Sequence, residues 1–149
     1  MKDLWGFNKL TKNDIKSLPQ GILKEQAELF EKKTDDMLFL KTPTRSLKYK
    51  VDEKYGLATN FEIVAPYLDG YSYTLFTMYS SPENDYPVAL AFDADDIDGP
   101  FASSDYECKN ETQFLEKLQE ILSSQDTINI IKSLYSKSII NGKDEGLPF

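Results

Sequence analysis

Apolar positions in this chain recur with two different periods, and the changes of period divide the sequence into three stretches. From Pro19 to about Thr34, Ile22, Leu23, Ala27, Leu29 and Phe30 share one helical face, while Lys24, Glu25, Glu28, Glu31 and Lys32 fill the other. Pro19 suits the first helical position, where its missing N–H costs nothing. Gly21, in the first turn, is the residue that argues against this boundary. Ahead of the helix, residues 1–18 are polar with scattered apolar anchors at Leu4, Trp5, Phe7, Leu10, Ile15 and Leu18. There, Thr11 and Asp14 have the capping-box spacing of a short helix.

The period then changes. Residues 36–42 contain a short apolar run that stops at Pro43. Leu47, Tyr49 and Val51 alternate with Lys48 and Lys50, as in a half-buried strand. Residues 57–65 alternate in part, and residues 71–79 (YSYTLFTMY) are rich in β-formers. Residues 86–92 (YPVALAF) are apolar on both faces, which predicts a central strand with Pro87 tolerated near its start. The connectors Lys54-Tyr55-Gly56, Leu68-Asp69-Gly70 and Ser81–Asp85 carry turn residues, and connectors this short favour antiparallel hairpins.

After an acidic loop at 93–105 the helical period returns. Asn110 is a good N-cap with Gln113 at the capping-box spacing, and Phe114, Leu115, Leu118, Ile121 and Leu122 form a stripe. Ser123 with Asp126 predicts the start of a second helix, with the stripe Thr127, Ile128, Ile131, Leu134 and Tyr135. A helix, a run of strands and two helices predict an α+β fold: a mainly antiparallel meander of four to five strands packed by the N-terminal and the two C-terminal helices. The length fits one domain spanning 1–149, with frayed ends at 1–10 and 141–149.

Composition changes this picture mainly by exclusion. The 149 residues include no histidine, one cysteine and one arginine. Ser-His-Asp and Cys-His catalysis and His-ligated zinc are therefore excluded, and one cysteine cannot build a thiolate metal centre. Arg45 alone leaves little for bidentate recognition of phosphate or guanine. The N-terminal residues MKDLWGFNKL lack a signal-peptide apolar core, and no apolar run reaches membrane-spanning length. These features, with a lone thiol, predict a cytoplasmic protein with no membrane or nucleic-acid partner and no cofactor.

Five features carry candidate chemistry. The loop Asp93, Asp95, Asp96, Asp98 offers oxygen ligands for a hard cation, but Ile97, Gly99 and Ser104 stand where an EF-hand needs other residues, so a solvated acidic loop is the simpler reading. Tyr67, Tyr71, Tyr73, Tyr79 and Tyr86 suggest stacking or a tyrosine-lined pocket, yet residues 60–100 hold no Lys or Arg to meet phosphate. Glu62 is an acid within a candidate strand, where an outward-facing position explains it without catalysis. Cys108 is flanked by Asp105, Glu107 and Glu111, which disfavour a reactive thiolate despite Lys109.

The fifth feature is charge asymmetry. Residues 1–54 carry 12 basic and 9 acidic side chains, net +3, and residues 55–149 carry 5 and 16, net −11. The excess is densest at 93–111, with seven acids against one lysine. An acidic surface of this kind steers a basic partner. The leading expectation is thus a non-catalytic protein-binding module in a microbial cytoplasm. It would be of immunity or inhibitor type and bind a basic protein through Asp93, Asp95, Asp96, Asp98, Asp105 and Glu107. A small-molecule or peptide binder with a pocket of Tyr67, Tyr71, Tyr73 and Tyr79 is the first alternative. A carboxylate-based or divalent-metal-dependent enzyme is the second.

Overall fold

A computed structural model describes residues 1–15, 17–92 and 103–142. Its sheet is antiparallel throughout. Phe39–Lys41 (β1) and Thr44–Val51 (β2) both pair with Tyr55–Ala65 (β3), which continues to Tyr71–Ser80 (β4), Val88–Ala91 (β5) and Tyr106–Cys108 (β6). β1 and β2 are one edge strand with an interruption. Phe39 faces Val64 and Lys41 faces Glu62, while Thr44 faces Thr59 and Ser46 faces Leu57 in the same register. Between them the Asn60 N–H donates to the Pro43 carbonyl at 3.0 Å, so the ladder continues past a residue that has no N–H to give. The two apolar runs on either side of Pro43 are thus collinear, and the sheet runs as a five-position meander.

The helices are Pro19–Lys33 (α1), Glu111–Leu122 (α2) and Gln125–Asn141 (α3), with a 3₁₀ turn at Lys12–Ile15 and another at Pro66–Leu68. This is the expected α+β architecture, and α1 begins at the predicted proline. Gly21 has a reason to be glycine: a Cβ there would overlap the Ile15 carbonyl where the 3₁₀ turn backs onto the first turn of α1. At α2, Asn110 caps as predicted, its Oδ1 accepting the Gln113 N–H at 2.9 Å.

Strand alternation decides the two faces. Phe61, Ile63 and Ala65 of β3, Phe76 and Met78 of β4, Val88 and Leu90 of β5, and Cys108 meet Leu23 and Ala27 of α1, Phe114 and Leu118 of α2, and Leu134 of α3 in one core. Phe61 and Phe76 stack at its centre, 5.0 Å between ring centroids. The opposite face holds a smaller cluster of Val51, Tyr55, Ala58, Tyr79, Ala89 and Ala91.

Several expectations need correction. The turn placed at Lys54-Tyr55-Gly56 lies two residues earlier: Asp52 and Glu53 adopt left-handed φ of 52° and 63°, and Tyr55 and Gly56 already belong to β3. α3 is capped by Ser124, which accepts from the Thr127 N–H, while the Ser123 hydroxyl closes α2 by donating to the Gln119 carbonyl. Leu29 and Leu115, assigned to buried stripes, are each 45 % exposed because they sit at the margins of their helical faces. β6 was not anticipated: three residues are too few to display an alternation. Among the described residues, no helix is long and apolar enough to cross a membrane.

Candidate functional site

The predicted partner-binding residues fall into two groups. Asp93, Asp95, Asp96 and Asp98 lie outside the described residues. Asp105 and Glu107 lie within them, at the β6 edge. Asp105 is pinned by its backbone N–H, which donates to the Leu90 carbonyl at 2.8 Å, and by its carboxylate, which accepts from the Phe92 N–H at 2.8 Å.

Residues distant in sequence join them. The left-handed turn between β2 and β3 swings Asp52 over to this edge, where its carboxylate accepts a bond from the Ser104 hydroxyl at 2.6 Å. Lys54, from the same turn, places its Nζ 2.6 Å from Glu107 Oε2. The Tyr55 hydroxyl donates to that same oxygen at 2.6 Å. A row of paired residues across the sheet, Ala58, Tyr79, Ala89 and Glu107, explains how this is possible. The small side chains of Ala58 and Ala89 share a buried cluster with the Tyr55 ring, leaving it room to lie against the sheet.

The outcome is an acidic edge built from Asp52, Asp105 and Glu107, with Lys54 bound to Glu107 and the charge of Lys109 also acting on that carboxylate. Lys54 and the Tyr55 hydroxyl hold the Glu107 carboxyl below the usual carboxylate range, so it is ionised at neutral pH. Burial, followed by the Glu107 bond and the charges of Glu107 and Asp52, pushes the Tyr55 phenol well above its ordinary value. Sequence reasoning missed Asp52, Lys54 and Tyr55 here. The alternation of residues 47–51 against 57–65 signalled the hairpin, but nothing local indicated that its turn reaches β6.

The tyrosines are not brought together. Tyr79 is buried in the cluster opposite the helices, whereas Tyr73 packs against the helix-side core, and Tyr67 and Tyr71 are exposed near the Pro66–Leu68 turn. Glu62 lies on the sheet face away from the helices. It accepts a bond from the Asn60 amide at 3.1 Å, and the Asn60 carbonyl oxygen accepts one from the Thr77 hydroxyl at 3.0 Å. Cys108 is fully buried, and burial pushes its thiol to about 11, far from thiolate chemistry at neutral pH. Among the described residues, no group of three potential metal ligands converges.

A second feature lies on the helix side. Between α1 and the α2–α3 pair opens an apolar cavity of about 360 Å³, walled by Leu29, Phe30, Leu122, Ile128 and Ile131 and floored by Leu40, Phe61 and Leu75. A neighbouring depression shares Gln26 and Leu122 and continues past Leu115 and Leu118 along α2. The two form one groove, with no tyrosine in its lining.

Comparison with protein-family models, with curated proteins and with solved structures gives no match. Function is therefore argued from these two surfaces.

Proposed function

We propose that this chain is a non-catalytic protein-binding module that takes up a basic partner protein at the edge formed by the β2–β3 turn and β6. The observation that carries the reading is the convergence of Asp52 with Asp105 and Glu107, held by the bonds from Ser104 to Asp52 and from Tyr55 and Lys54 to Glu107. The acidic excess of residues 93–111, seven acids against one lysine, extends the same character along the sequence. An ordered acidic edge attracts a positively charged surface and suppresses acidic competitors.

The chemistry of the site favours binding over catalysis. A general acid or base works best with a pKa near the operating pH, whereas the Glu107 carboxyl is displaced downward and the Tyr55 phenol upward. The one thiol is buried and protonated. An immunity-type or inhibitor-type role in a microbial cytoplasm, against a basic toxin or nuclease, is the specific form of this proposal.

Affinity capture from the source lysate tests it, with the wild-type chain run beside a variant carrying Asp52→Asn and Asp105→Asn. The expected result is a basic partner that is released by salt and lost from the variant. Removing two charges at such an edge slows association and raises Kd by about fivefold or more, on the order of 0.5–1 kcal/mol per charge. Capture of a partner that is not basic, or one retained equally by the variant, contradicts the proposal.

A further inference from the structure

We propose that residues 1–15 form a peripheral anchor that lies on an anionic lipid bilayer and tethers the folded body to it. The arm is separate from the acidic edge, so its role does not depend on the partner assigned there.

Every residue from Met1 to Ile15 is exposed. Leu4 is 84 % exposed, Trp5 76 %, Phe7 55 % and Leu10 66 %. Trp5 and Phe7 adjoin each other, with ring centroids 6.0 Å apart. Large apolar side chains are costly to leave in water, and their grouping within a few residues marks an interaction surface.

Charge identifies the surface. Residues 1–18 carry four lysines and two aspartates, net +2, whereas residues 19–149 carry 13 basic and 23 acidic side chains, net −10. Both aspartates of the arm are turned onto its own backbone: Asp3 accepts the Trp5 N–H at 3.0 Å, and Asp14 accepts the Thr11 N–H at 2.6 Å. Among the described residues no carboxylate pairs with Lys2, Lys9 or Lys12. Lysines interleaved with Trp, Phe and Leu are the chemistry of interfacial anchors. The apolar groups enter the boundary between headgroups and acyl chains, and the lysines meet anionic headgroups. Protein interfaces, by contrast, are depleted in lysine. Base stacking has no use for Leu4, Leu10 and Ile15, which lack a π-face.

Such a contact needs no spanning segment. Among the described residues no helix is long and apolar enough to cross a membrane, and an interfacial arm buries its side chains only to the boundary depth. Reach settles the remaining conflict, since the acidic body is repelled by an anionic surface. That repulsion fades over about 10 Å at 0.1 M salt. Ten extended residues reach up to about 33 Å. Residues 1–10 therefore place their rings and lysines at the bilayer while the body stays beyond the screening distance. The root of the tether is fixed, because the Ile15 carbonyl backs onto Gly21 in the first turn of α1.

Trp5 is the only tryptophan, so its fluorescence reports on the arm alone. The experiment is cosedimentation of the full chain with vesicles of equal parts phosphatidylglycerol and phosphatidylcholine, with Trp5 emission recorded alongside. Pure phosphatidylcholine vesicles are the control. The expected result is binding to the anionic vesicles, with emission shifting to shorter wavelength, release by high salt and affinity for the control weaker by about tenfold or more. Each lysine near an anionic surface contributes about fivefold, so the Lys2→Gln, Lys9→Gln, Lys12→Gln triple variant binds at least about tenfold more weakly. Trp5→Ser loses binding with every lysine in place, and deleting residues 1–10 abolishes it. These sites are exposed, so each variant keeps the far-UV spectrum of the wild type. A chain that ignores anionic vesicles overturns the proposal, as does equal binding to the control or binding that survives the deletion. Trp5 emission already shielded in the free chain and unmoved by vesicles places the arm on protein instead. A single-stranded oligonucleotide that shifts the emission where vesicles do not places it on nucleic acid. Either result overturns the lipid assignment.

Discussion

Replacing Tyr55 by phenylalanine deletes one oxygen from a residue that is 1 % exposed and leaves its ring in place. What is lost is a 2.6 Å bond to Glu107. A hydrogen bond to a charged group contributes about 1.5–3 kcal/mol. Glu107 keeps Lys54 as a partner, and its side chain is 33 % exposed, so water replaces part of what is removed. The expected cost of Tyr55→Phe is therefore at the lower end, about 1–1.5 kcal/mol. Glu107→Gln keeps the shape and one acceptor oxygen but loses the charge, at a cost of about 1–2 kcal/mol. The two changes share one bond, so the double variant loses less than the sum, with a coupling of about 1 kcal/mol. Each kcal/mol corresponds to about 2–4 °C in Tm for a chain of this size. Urea denaturation followed by far-UV circular dichroism is the appropriate assay, because Trp5 stands in the exposed arm and does not report on the core.

The sign of the pH dependence follows from the same bond. The folded-state pKa of Glu107 lies below its ordinary value of 4.5, so the stabilisation is fully present above that value and is lost as pH falls through the folded pKa. Coupling should be undiminished at pH 7 and should shrink in acid. A coupling below about 0.3 kcal/mol at pH 7, within the additivity expected of independent sites, refutes the role given to this bond.

Gly21→Ala should destabilise by about 1–2 kcal/mol, although alanine in a helix is normally favoured over glycine by about 1 kcal/mol, because its Cβ meets the Ile15 carbonyl; a raised Tm would show that the 3₁₀ turn is not held against α1. At the alkaline end, stability should fall as pH rises from the ordinary thiol value of 9.0 through about 11, since burial keeps Cys108 protonated in the folded chain while the unfolded chain ionises. Cys108→Ala should flatten that part of the curve, and an unchanged profile would contradict the burial argument.

Much of the fold was legible because long periodic segments state their own period. α1 was readable from Ile22, Leu23 and Ala27, and the Asn110 cap of α2 from its spacing to Gln113. The limits were geometric. Leu29 lies two positions after buried Ala27, and a helical stripe drawn from sequence cannot fix where its margin falls; here the margin is a groove wall. The left-handed backbone at Asp52 and Glu53 carries no glycine to announce it, so the turn was placed two residues late. The acidic edge is built on that error: a turn displaced toward Gly56 would not deliver Lys54 and Tyr55 to Glu107. Composition made the acidity visible, but the bond from Ser104 to Asp52 spans 52 residues and depends on sheet order, which no local pattern contains.

The interrupted edge strand has a consequence for how copies of this chain can meet. An unpaired strand edge is a template for another strand, and continuous addition leads to fibres. Here the edge strand is interrupted at Pro43, between β1 and β2, and its register with β3 shifts between Ser46 and Val51. Residues 39–51 also carry Lys41, Arg45, Lys48 and Lys50 and no acid, so two such edges brought together would set like charge against like. The positive surplus of the first third of the chain is therefore in part a gatekeeper. It closes the route to open-ended stacking and leaves association to surfaces that saturate.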